Sequence, residues 1–320
     1  MAVSADGMID RRNLRRKLFF WRGLVFLLII FGLIGLSNRK ELPIAGGKHI
    51  ARIVIQGPIT FDQDIRDSLE KIGKDENVKG IILSINSPGG SVAASEDLYL
   101  SLRELGEKKP IVSFITGIGA SGAYIAAMSS DHIIARETAI VGSIGVIMQY
   151  HNIGKLLQIV GIEPDSVKSS PLKAEPSGYT PISPEARKTM QALIDDSFLW
   201  FKNLVMDRRN LTAEAVKDVS DGRVFSARTS LSLKLIDSLG TEQSAVAWLA
   251  EKHDLDKNLP VKEVKLKQDK KALSWLGVIA RIAEMTGFQD IALTMDNSHS
   301  SMDMSRTGGI LAIWNPAMDQ

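Results

Sequence analysis

Cysteine is absent from this chain of 320 residues. Its absence excludes a cysteine nucleophile, a metal site built on thiolates, a disulfide framework and a lipidated N-terminal cysteine. It does not identify the compartment, because a protein without disulfides can fold on either side of a membrane. Histidine is scarce, with five in the whole chain. Few residues could therefore be the histidine that usually accepts the proton in a serine hydrolase.

A strong excess of positive charge is missing from most of the chain. The first forty residues hold eight Lys and Arg against two Asp, a net charge of +6, whereas the remainder holds 31 basic and 35 acidic residues, a net charge of −4. This balance argues against a surface for nucleic acid, and no nucleic-acid partner is predicted. The apolar content of 44% is enough for an ordinary buried core.

The N-terminal region has the pattern of a transmembrane signal anchor. Residues 18–36 are apolar except for Arg22, and nineteen helical residues extend about 29 Å, close to the hydrocarbon thickness of a bilayer. The basic segment 1–17 is predicted to stay in the cytoplasm, which leaves the bulk of the protein outside. A cleaved signal peptide and a core helix are the alternatives. Residues 37–48 are predicted to be a linker.

Beyond the linker, strands alternate with helices. The apolar runs 50–55, 78–85 and 111–115 predict buried strands, and the repeated order of strand and helix predicts parallel crossovers and an α/β fold. This pattern defines a domain at 49–255, followed by a partly flexible extension at 256–320. Further strands are predicted at 131–135, 139–141, 142–148 and 261–266, and helices at 64–75, 185–208 and 273–288.

A glycine-spaced turn, residues 117–124, lifts one hydroxyl between a strand and a helix. Small residues at such a bend let a substrate backbone approach without meeting a Cβ atom. Ser121 is therefore the candidate nucleophile. The structural alternative is a close-packed turn in which Ser121 is only the N-cap of the following helix.

A second glycine-rich turn, Ser87-Pro88-Gly89-Gly90, ends an earlier strand. Consecutive glycines at the carboxyl end of a parallel strand can present free backbone N–H groups to a developing anion. Gly89 and Gly90, together with Gly122 after the nucleophile, are the candidates for an oxyanion hole. Taken alone, such a turn is more often a simple loop. Two such turns on neighbouring strands favour a site, because ligands of open α/β sheets gather at strand carboxyl ends.

A serine nucleophile needs a proton acceptor. Among the histidines, only His151 has a position from which it might approach the turn. The alternative is a lysine made neutral by burial, which lowers the pKa of an ammonium from about 10.4 toward 7 or 8. Lys173 fits this role, in a segment that begins as a short strand and has few carboxylates, residues 165–176. Spacing alone does not select Lys173 over Lys168 or Lys155.

Four motifs in this order resemble the signal peptide peptidase A family, which are membrane-anchored bacterial serine proteases with a Ser/Lys dyad. They are Ser-Pro-Gly-Gly-Ser at 87–91, Gly-Ala-Ser-Gly-Ala-Tyr at 119–124, Gly-Ser-Ile-Gly-Val at 142–146 and Lys-Ser-Ser-Pro-Leu-Lys at 168–173. The resemblance covers about residues 49–250 and is to the short form with a single catalytic repeat. It implies a repeated ββα fold related to Clp protease and the crotonases.

The resemblance also implies roles for particular residues. Ser121 aligns with the nucleophile, Lys173 with the general base, Ser143 with the serine that orients the lysine, and Gly90 with the oxyanion-hole donor. A Clp-type triad would need a histidine within 142–148, and none is present. This supports the lysine dyad.

The function implied is an endopeptidase that degrades remnant signal peptides, anchored in the bacterial inner membrane with its catalytic domain on the periplasmic side. The family further implies a homo-oligomer with active sites at subunit contacts, in which Lys173 reaches Ser121 of a neighbouring protomer. No cofactor is predicted, and the sequence shows no metal-ligand spacing. A crotonase-type acyl-CoA hydratase or thioesterase and a non-catalytic membrane scaffold are the alternatives. The anchor, and the lack of a carboxylate in the Ser121 turn, disfavour the hydratase.

Overall fold

The computed structural model describes Trp21, residues 47–264 and residues 311–314. The predicted anchor at 18–36, apart from Trp21, and the predicted helix at 273–288 lie outside these residues. None of the helices in the described part combines the length and the apolar character that a membrane crossing requires. The chain divides into two units, residues 1–47 and 48–320, and all the elements below belong to the second.

Strands and helices alternate through the described part of this second unit. In chain order they are β1 (His49–Gln56), α1 (Gln63–Lys74), β2 (Val78–Ser87), β3 (Gly89–Ser91), α2 (Val92–Gly106), β4 (Ile111–Ala120), α3 (Gly122–Ala127), β5 (His132–Ala135), β6 (Ile140–Gly142), α4 (Gly154–Ile159), α5 (Pro184–Arg209), α6 (Ala213–Val219), β7 (Val224–Ser226), α7 (Ala227–Ser232), β8 (Ser238–Leu239), α8 (Glu242–His253), β9 (Val261–Val264) and β10 (Leu311–Ile313).

The main sheet is organised around β4. Strands β9, β1, β2 and β4 lie side by side in that order, and each neighbouring pair is parallel. On its other side β4 has two partners, β5 along residues 112–115 and β6 along residues 118–120. The sheet continues in parallel from β5 to β8 and antiparallel from β6 to β7. The predicted α/β fold is confirmed.

The central strands are buried on both faces, which explains their near-continuous apolar sequences. Successive residues of β2 point to opposite sides of the sheet. Ile81 and Leu83 join the larger core cluster, which includes Leu102 of α2. Ile82 joins a smaller cluster on the other face with Leu249 of α8. Helices therefore cover both faces of the sheet.

Helix α3 is buried along its whole length. Its Tyr124 is fully enclosed, and the phenol donates a 2.7 Å hydrogen bond to the carbonyl oxygen of Leu235. Burial raises the pKa of Tyr124, so the hydroxyl stays protonated and keeps this bond. Because α3 is fixed in the core, the Ser121 turn that precedes it is fixed as well.

Three predicted strands differ from the structure. The strand predicted at 111–115 continues to Ala120 as β4. Of the strand predicted at 142–148, only Gly142 lies in a strand, and beyond it only Ile147 forms an isolated bridge. The reason is that β6 ends at Gly142, where two successive residues with positive φ turn the backbone out of the sheet. The short strand predicted at the start of 165–176 is irregular backbone.

Candidate active site

The carboxyl ends of β2, β4 and β6 meet at one edge of the sheet. Ser87 of β2 pairs with Gly119 of β4, and Ala120 of β4 pairs with Gly142 of β6. The next residues along the three strands are the Gly89-Gly90 turn, Ser121 and Ser143. Parallel pairing thus brings these three features, which are far apart in the sequence, to neighbouring positions.

Ser121 stands on a strained bend between β4 and α3. Its backbone has φ 56° and ψ −121°, a region that residues with a Cβ atom rarely adopt. The side chain is 1% exposed, and its hydroxyl has no hydrogen-bond partner among the described residues. Ser121 occupies the N-cap position of α3, as the structural alternative predicts, but its hydroxyl makes no capping bond to the helix.

Ser143 lies directly beside the Ser121 bend. The N–H of Ser121 donates a 2.7 Å hydrogen bond to the carbonyl oxygen of Gly142. The N–H of Ser143 donates a 2.8 Å hydrogen bond to the backbone carbonyl oxygen of Arg223. Ser143 also has a positive φ of 50°, and it is buried. Both serines thus occupy strained positions that backbone hydrogen bonds hold in place.

The Gly89-Gly90 turn continues as β3, whose hydrogen bonds set the direction of its backbone groups. On one side, Ile59 donates to the carbonyl oxygen of Gly89 at 2.8 Å and accepts from the N–H of Ser91 at 3.0 Å. Because successive residues of a strand point their backbone groups to opposite sides, the N–H and C=O of Gly90 face away from Ile59. A Cβ atom at Gly90 would overlap the backbone of Ile59, so only glycine fits there.

The backbone N–H of Gly122 is the second candidate donor of the oxyanion hole. It is the first residue of α3, where helical N–H groups have no partner within the helix. A Cβ atom at Gly122 would lie 3.1 Å from the carbonyl oxygen of Ala312 and 3.2 Å from the nitrogen of Gly90. The backbones of Gly90 and Gly122 therefore lie close together next to Ser121, which is the arrangement that an oxyanion hole requires.

Lys173 is not brought to Ser121 within the single chain. It lies exposed in a turn at 171–174, and its side chain contacts none of the described residues through a hydrogen bond or ion pair. Lys168, the alternative, forms a 2.9 Å ion pair with Glu175, and the hydrogen bond from Lys168 lowers the pKa of Glu175. The Lys168 ammonium is thus already held by a carboxylate of its own segment.

In the described part, no histidine contacts Ser121 or Ser143 through a hydrogen bond or ion pair. His151 is exposed. His132 stacks on Trp248 with ring centroids 4.8 Å apart and hydrogen-bonds Ser238 at 3.0 Å. Burial lowers the pKa of His132, which is the behaviour of a histidine packed in the fold rather than one that faces Ser121.

The sequence reasoning missed a segment that lies in the site. Strand β10 pairs antiparallel with β3, with Ala312 opposite Gly90, although these residues are more than two hundred positions apart. The only local signal is the apolar run Ile310-Leu311-Ala312-Ile313-Trp314 after two glycines. Ile313 and Trp314, together with Ser143 and the α5 residues Ile194 and Phe198, line a cleft of about 720 Å³.

A strained, buried serine beside backbone amides, at the carboxyl edge of a parallel sheet, is the arrangement that a serine hydrolase requires. The fold and the site together define an α/β protein of that class. Comparison with known proteins gives the family.

The chain belongs to peptidase family S49, the family of the SppA proteases. The S49 family model matches residues 103–256, and the Clp protease model matches residues 50–141. Three relatives are similar over most of the chain. "Putative protease" of Synechocystis is 38% identical over 211 residues, 65% of this chain and 76% of the relative. A second "Putative protease", from Methanocaldococcus jannaschii, is 30% identical over 248 residues, which are 71% of this chain and 80% of the relative. "Putative signal peptide peptidase SppA" of Enterococcus faecium is 32% identical over 228 residues, which are 71% of this chain and 65% of the relative.

These findings confirm the predicted family, the Clp-protease-like α/β domain and the coarse activity, that of a serine protease. They favour the protease over the hydratase and scaffold alternatives, because both family models are those of peptidases.

Proposed function

We propose that the protein is a membrane-anchored serine endopeptidase with a Ser121/Lys173 dyad that degrades remnant signal peptides. The observation that carries the proposal is the state of Ser121. A hydroxyl that is 1% exposed and without a partner among the described residues costs about 1–3 kcal/mol of desolvation. On strained backbone, beside two backbone amides, this cost is expected of a nucleophile rather than of a structural serine.

In the proposed reaction, the Ser121 oxygen attacks the substrate carbonyl carbon while the neutral amine of Lys173 takes the hydroxyl proton. The N–H groups of Gly90 and Gly122 hold the resulting oxyanion. The C–N bond then breaks, the leaving amine receives the proton from Lys173, and an acyl-enzyme on Ser121 remains. The same lysine deprotonates a water, which releases the acid product and restores the hydroxyl.

Lys173 is proposed to act on Ser121 of a neighbouring protomer. In the single chain Lys173 is exposed and Ser121 is enclosed, so another copy would have to bring them together and desolvate the amine. The chain segment that contains Lys173 supports such a contact, because exposed apolar side chains concentrated in one region are typical of an interaction site. Eleven of the fifteen exposed large apolar side chains in the described part fall between 147 and 199: Ile147, Ile153, Leu156, Ile159, Val160, Ile162, Val167, Leu172, Tyr179, Leu193 and Leu199.

Membrane attachment is proposed through residues 18–36, with the catalytic domain on the periplasmic side. The support is the apolar run and the basic residues that precede it. A site held near the bilayer suits peptides that remain in the membrane after signal-peptide cleavage. Fractionation of cells that express the full chain or a chain without residues 18–36 tests this. We expect only the full chain to sediment with membranes and to resist extraction by salt.

The base is tested by peptide hydrolysis as a function of pH. General-base catalysis contributes about 10²–10⁴-fold, so Lys173→Ala should lose at least a hundredfold in kcat/KM. Lys168→Ala is the matched control, and it should keep the wild-type pH profile because its ammonium pairs with Glu175. The assignment is wrong if Lys168→Ala is inactive and Lys173→Ala is not.

The sharing of sites between protomers is tested by mixing two inactive variants. Ser121→Ala retains the lysine, and Lys173→Ala retains the serine. Co-expressed or refolded together, they form some contacts at which an intact Ser121 faces an intact Lys173. Recovered hydrolysis, and labelling of the Lys173→Ala subunit by an active-site serine probe, are expected. A mixture as inactive as its parents would place both groups of a working site in one chain.

A further inference from the structure

The cleft that Ser143 lines has a largely apolar wall next to the Ser121 bend. Val146, Ile194 and Phe198 contribute to this wall. The cleft volume of about 720 Å³ is within the usual range of ligand-binding pockets. A peptide that reacts at Ser121 can therefore place one or more of its side chains here.

Three charged side chains line this cleft among the described residues, namely Asp195, Asp221 and Arg223. Two of them satisfy each other. Arg223 donates from Nε to the Asp221 carboxylate at 2.6 Å, and its backbone N–H donates to the same carboxylate at 3.1 Å. This hydrogen bonding lowers the pKa of Asp221. With two aspartates and one arginine, the lining has a net charge of −1, and Asp195 carries the charge that is not balanced.

Asp195 makes no ion pair with any residue that the structure describes. It is exposed, and the amide of Gln191, one turn earlier on α5, donates to its Oδ1 at 2.8 Å. Residues 191, 194, 195 and 198 all line the cleft, because a spacing of three and four places them on one face of the helix. Gln191 thus holds the carboxylate on the face of α5 that forms the cleft, and leaves Oδ2 without a partner in the described part.

The order of the strands places this cleft on the leaving side of the cleaved bond. Strand β4 lies between β2 and β6, so Gly90, after β2, and Ser143, after β6, lie on opposite sides of Ser121. The proposed base acts from the Ser143 side, and the group that takes the serine proton later gives it to the leaving amine. The part of the peptide that leaves as the amine therefore extends toward Ser143 and the cleft.

We propose that Asp195 is a specificity-determining residue, which binds a Lys or Arg side chain among the first three residues after the cleaved bond. Such side chains suit the cleft because their apolar stems can cover Ile194 and Phe198 while the charged end reaches the carboxylate. The inference rests on the proposed function and narrows its substrates to apolar peptides that carry a basic residue. Signal peptides have this combination, a basic segment next to an apolar run.

Peptides that differ at a single position test this preference. Each set carries Lys, Gln or Glu at the first, second or third residue after the cleaved bond, and kcat/KM is measured at low ionic strength. Because an ion pair open to solvent is weak, the wild type should prefer Lys to Gln about fivefold at one of these positions. Glu should be cleaved more slowly than Gln, and added salt should reduce both differences.

Variants of two adjacent aspartates assign the preference to one carboxylate. Asp195→Asn should cleave the Lys and Gln peptides at rates that agree within about twofold, and it should fold normally because its Oδ1 can still accept from Gln191. Asp195→Lys should reverse the preference in favour of Glu. Asp196→Asn is the matched control and should keep the wild-type preference, because Asp196 is exposed and is not among the residues that line the cleft.

The same measurements separate this inference from the proposed function. The inference fails, and the function stands, if the Gln peptides are hydrolysed through Ser121 but Lys is preferred at none of the three positions. A preference for Lys that persists in Asp195→Asn also overturns the inference. So does a shifted pH profile of Asp195→Asn with the Gln peptide, because Asp195 would then act on the catalytic lysine instead of the substrate. A wild type that hydrolyses none of the peptides overturns both.

Discussion

The backbone N–H of Ser121 donates a 2.7 Å hydrogen bond to the carbonyl oxygen of Gly142, the residue before Ser143. Both serines have a positive φ, and each such residue stores about 1–3 kcal/mol of strain. Buried helix α3 follows the first serine, and the second is fixed by its N–H bond to Arg223 at 2.8 Å. The surrounding fold therefore imposes the geometry of the site on residues that disfavour it.

Substitution of Ser121 should raise stability while it abolishes activity. Ser121→Ala removes a buried hydroxyl that has no partner in the described part, which should add about 1 kcal/mol to the free energy of unfolding. Ser121→Gly should add about 1 kcal/mol more, because glycine adopts this backbone without strain. Denaturant unfolding of the three proteins measures both steps. Equal or lower stability of both variants would show that the site stores no strain.

Ser143→Ala should change catalysis more than stability. The Ser143 hydroxyl makes no hydrogen bond with described residues of its own chain, so its loss should cost less than about 0.5 kcal/mol of folding free energy. If Ser143 positions Lys173, kcat should fall about tenfold or more with a smaller change in KM, and the pH profile should shift. Ser230→Ala, which also removes a buried unpartnered hydroxyl, is the control and should leave the pH profile unchanged.

Gly122→Ala should reveal how tightly the oxyanion region is packed. A Cβ atom there would overlap the hydroxyl of Ser95, and overpacking of this kind costs about 1–3 kcal/mol. In a Ser95→Ala background the obstacle is gone, so most of this cost should disappear. A double-mutant cycle of unfolding free energies measures the coupling. Additive effects of the two substitutions would contradict the packing described here.

Asp237 should make stability depend on acid pH. Burial by itself would raise the pKa of Asp237, but two hydrogen bonds from Arg209, at 2.7 and 3.1 Å, outweigh it and lower the pKa. Because the folded pKa is lowered, this stabilisation is complete above the unfolded value of about 3.9 and is lost as pH falls through the folded pKa. Asp237→Asn should cost about 2 kcal/mol at pH 7 and flatten the pH dependence below pH 4.

Asp131→Asn is the matched control for this measurement. Asp131 pairs with Arg103 at 3.4 Å and Arg208 at 3.8 Å, and its side chain is 55% exposed. Exposed ion pairs contribute little, so this variant should stay within about 0.5 kcal/mol of the wild type. Equal losses from Asp131→Asn and Asp237→Asn would mean that the buried contacts of Asp237 contribute nothing of their own.

The alternation of the central strands and helices, the α/β class and the two glycine turns could be predicted from the sequence. These features depend on short-range patterns, namely apolar runs, helical spacing and small residues at bends. The same patterns named Ser121 and Gly90, since both lie at strand ends. They failed at 142–148, where apolar residues predict a strand but Gly142 and Ser143 turn the backbone out of the sheet.

Only the tertiary structure decided how these residues are used. The bonds of Ile59 turn the Gly90 amide toward β10, and strand pairing places Ser143 next to Ser121. The same structure leaves Lys173 exposed and seats Ala312 against Gly90. Each of these is a pairing, or a lack of pairing, between segments distant in the chain. Local sequence does not determine which distant carbonyl group accepts a hydrogen bond from a given N–H, because the packing of the whole core determines that pairing.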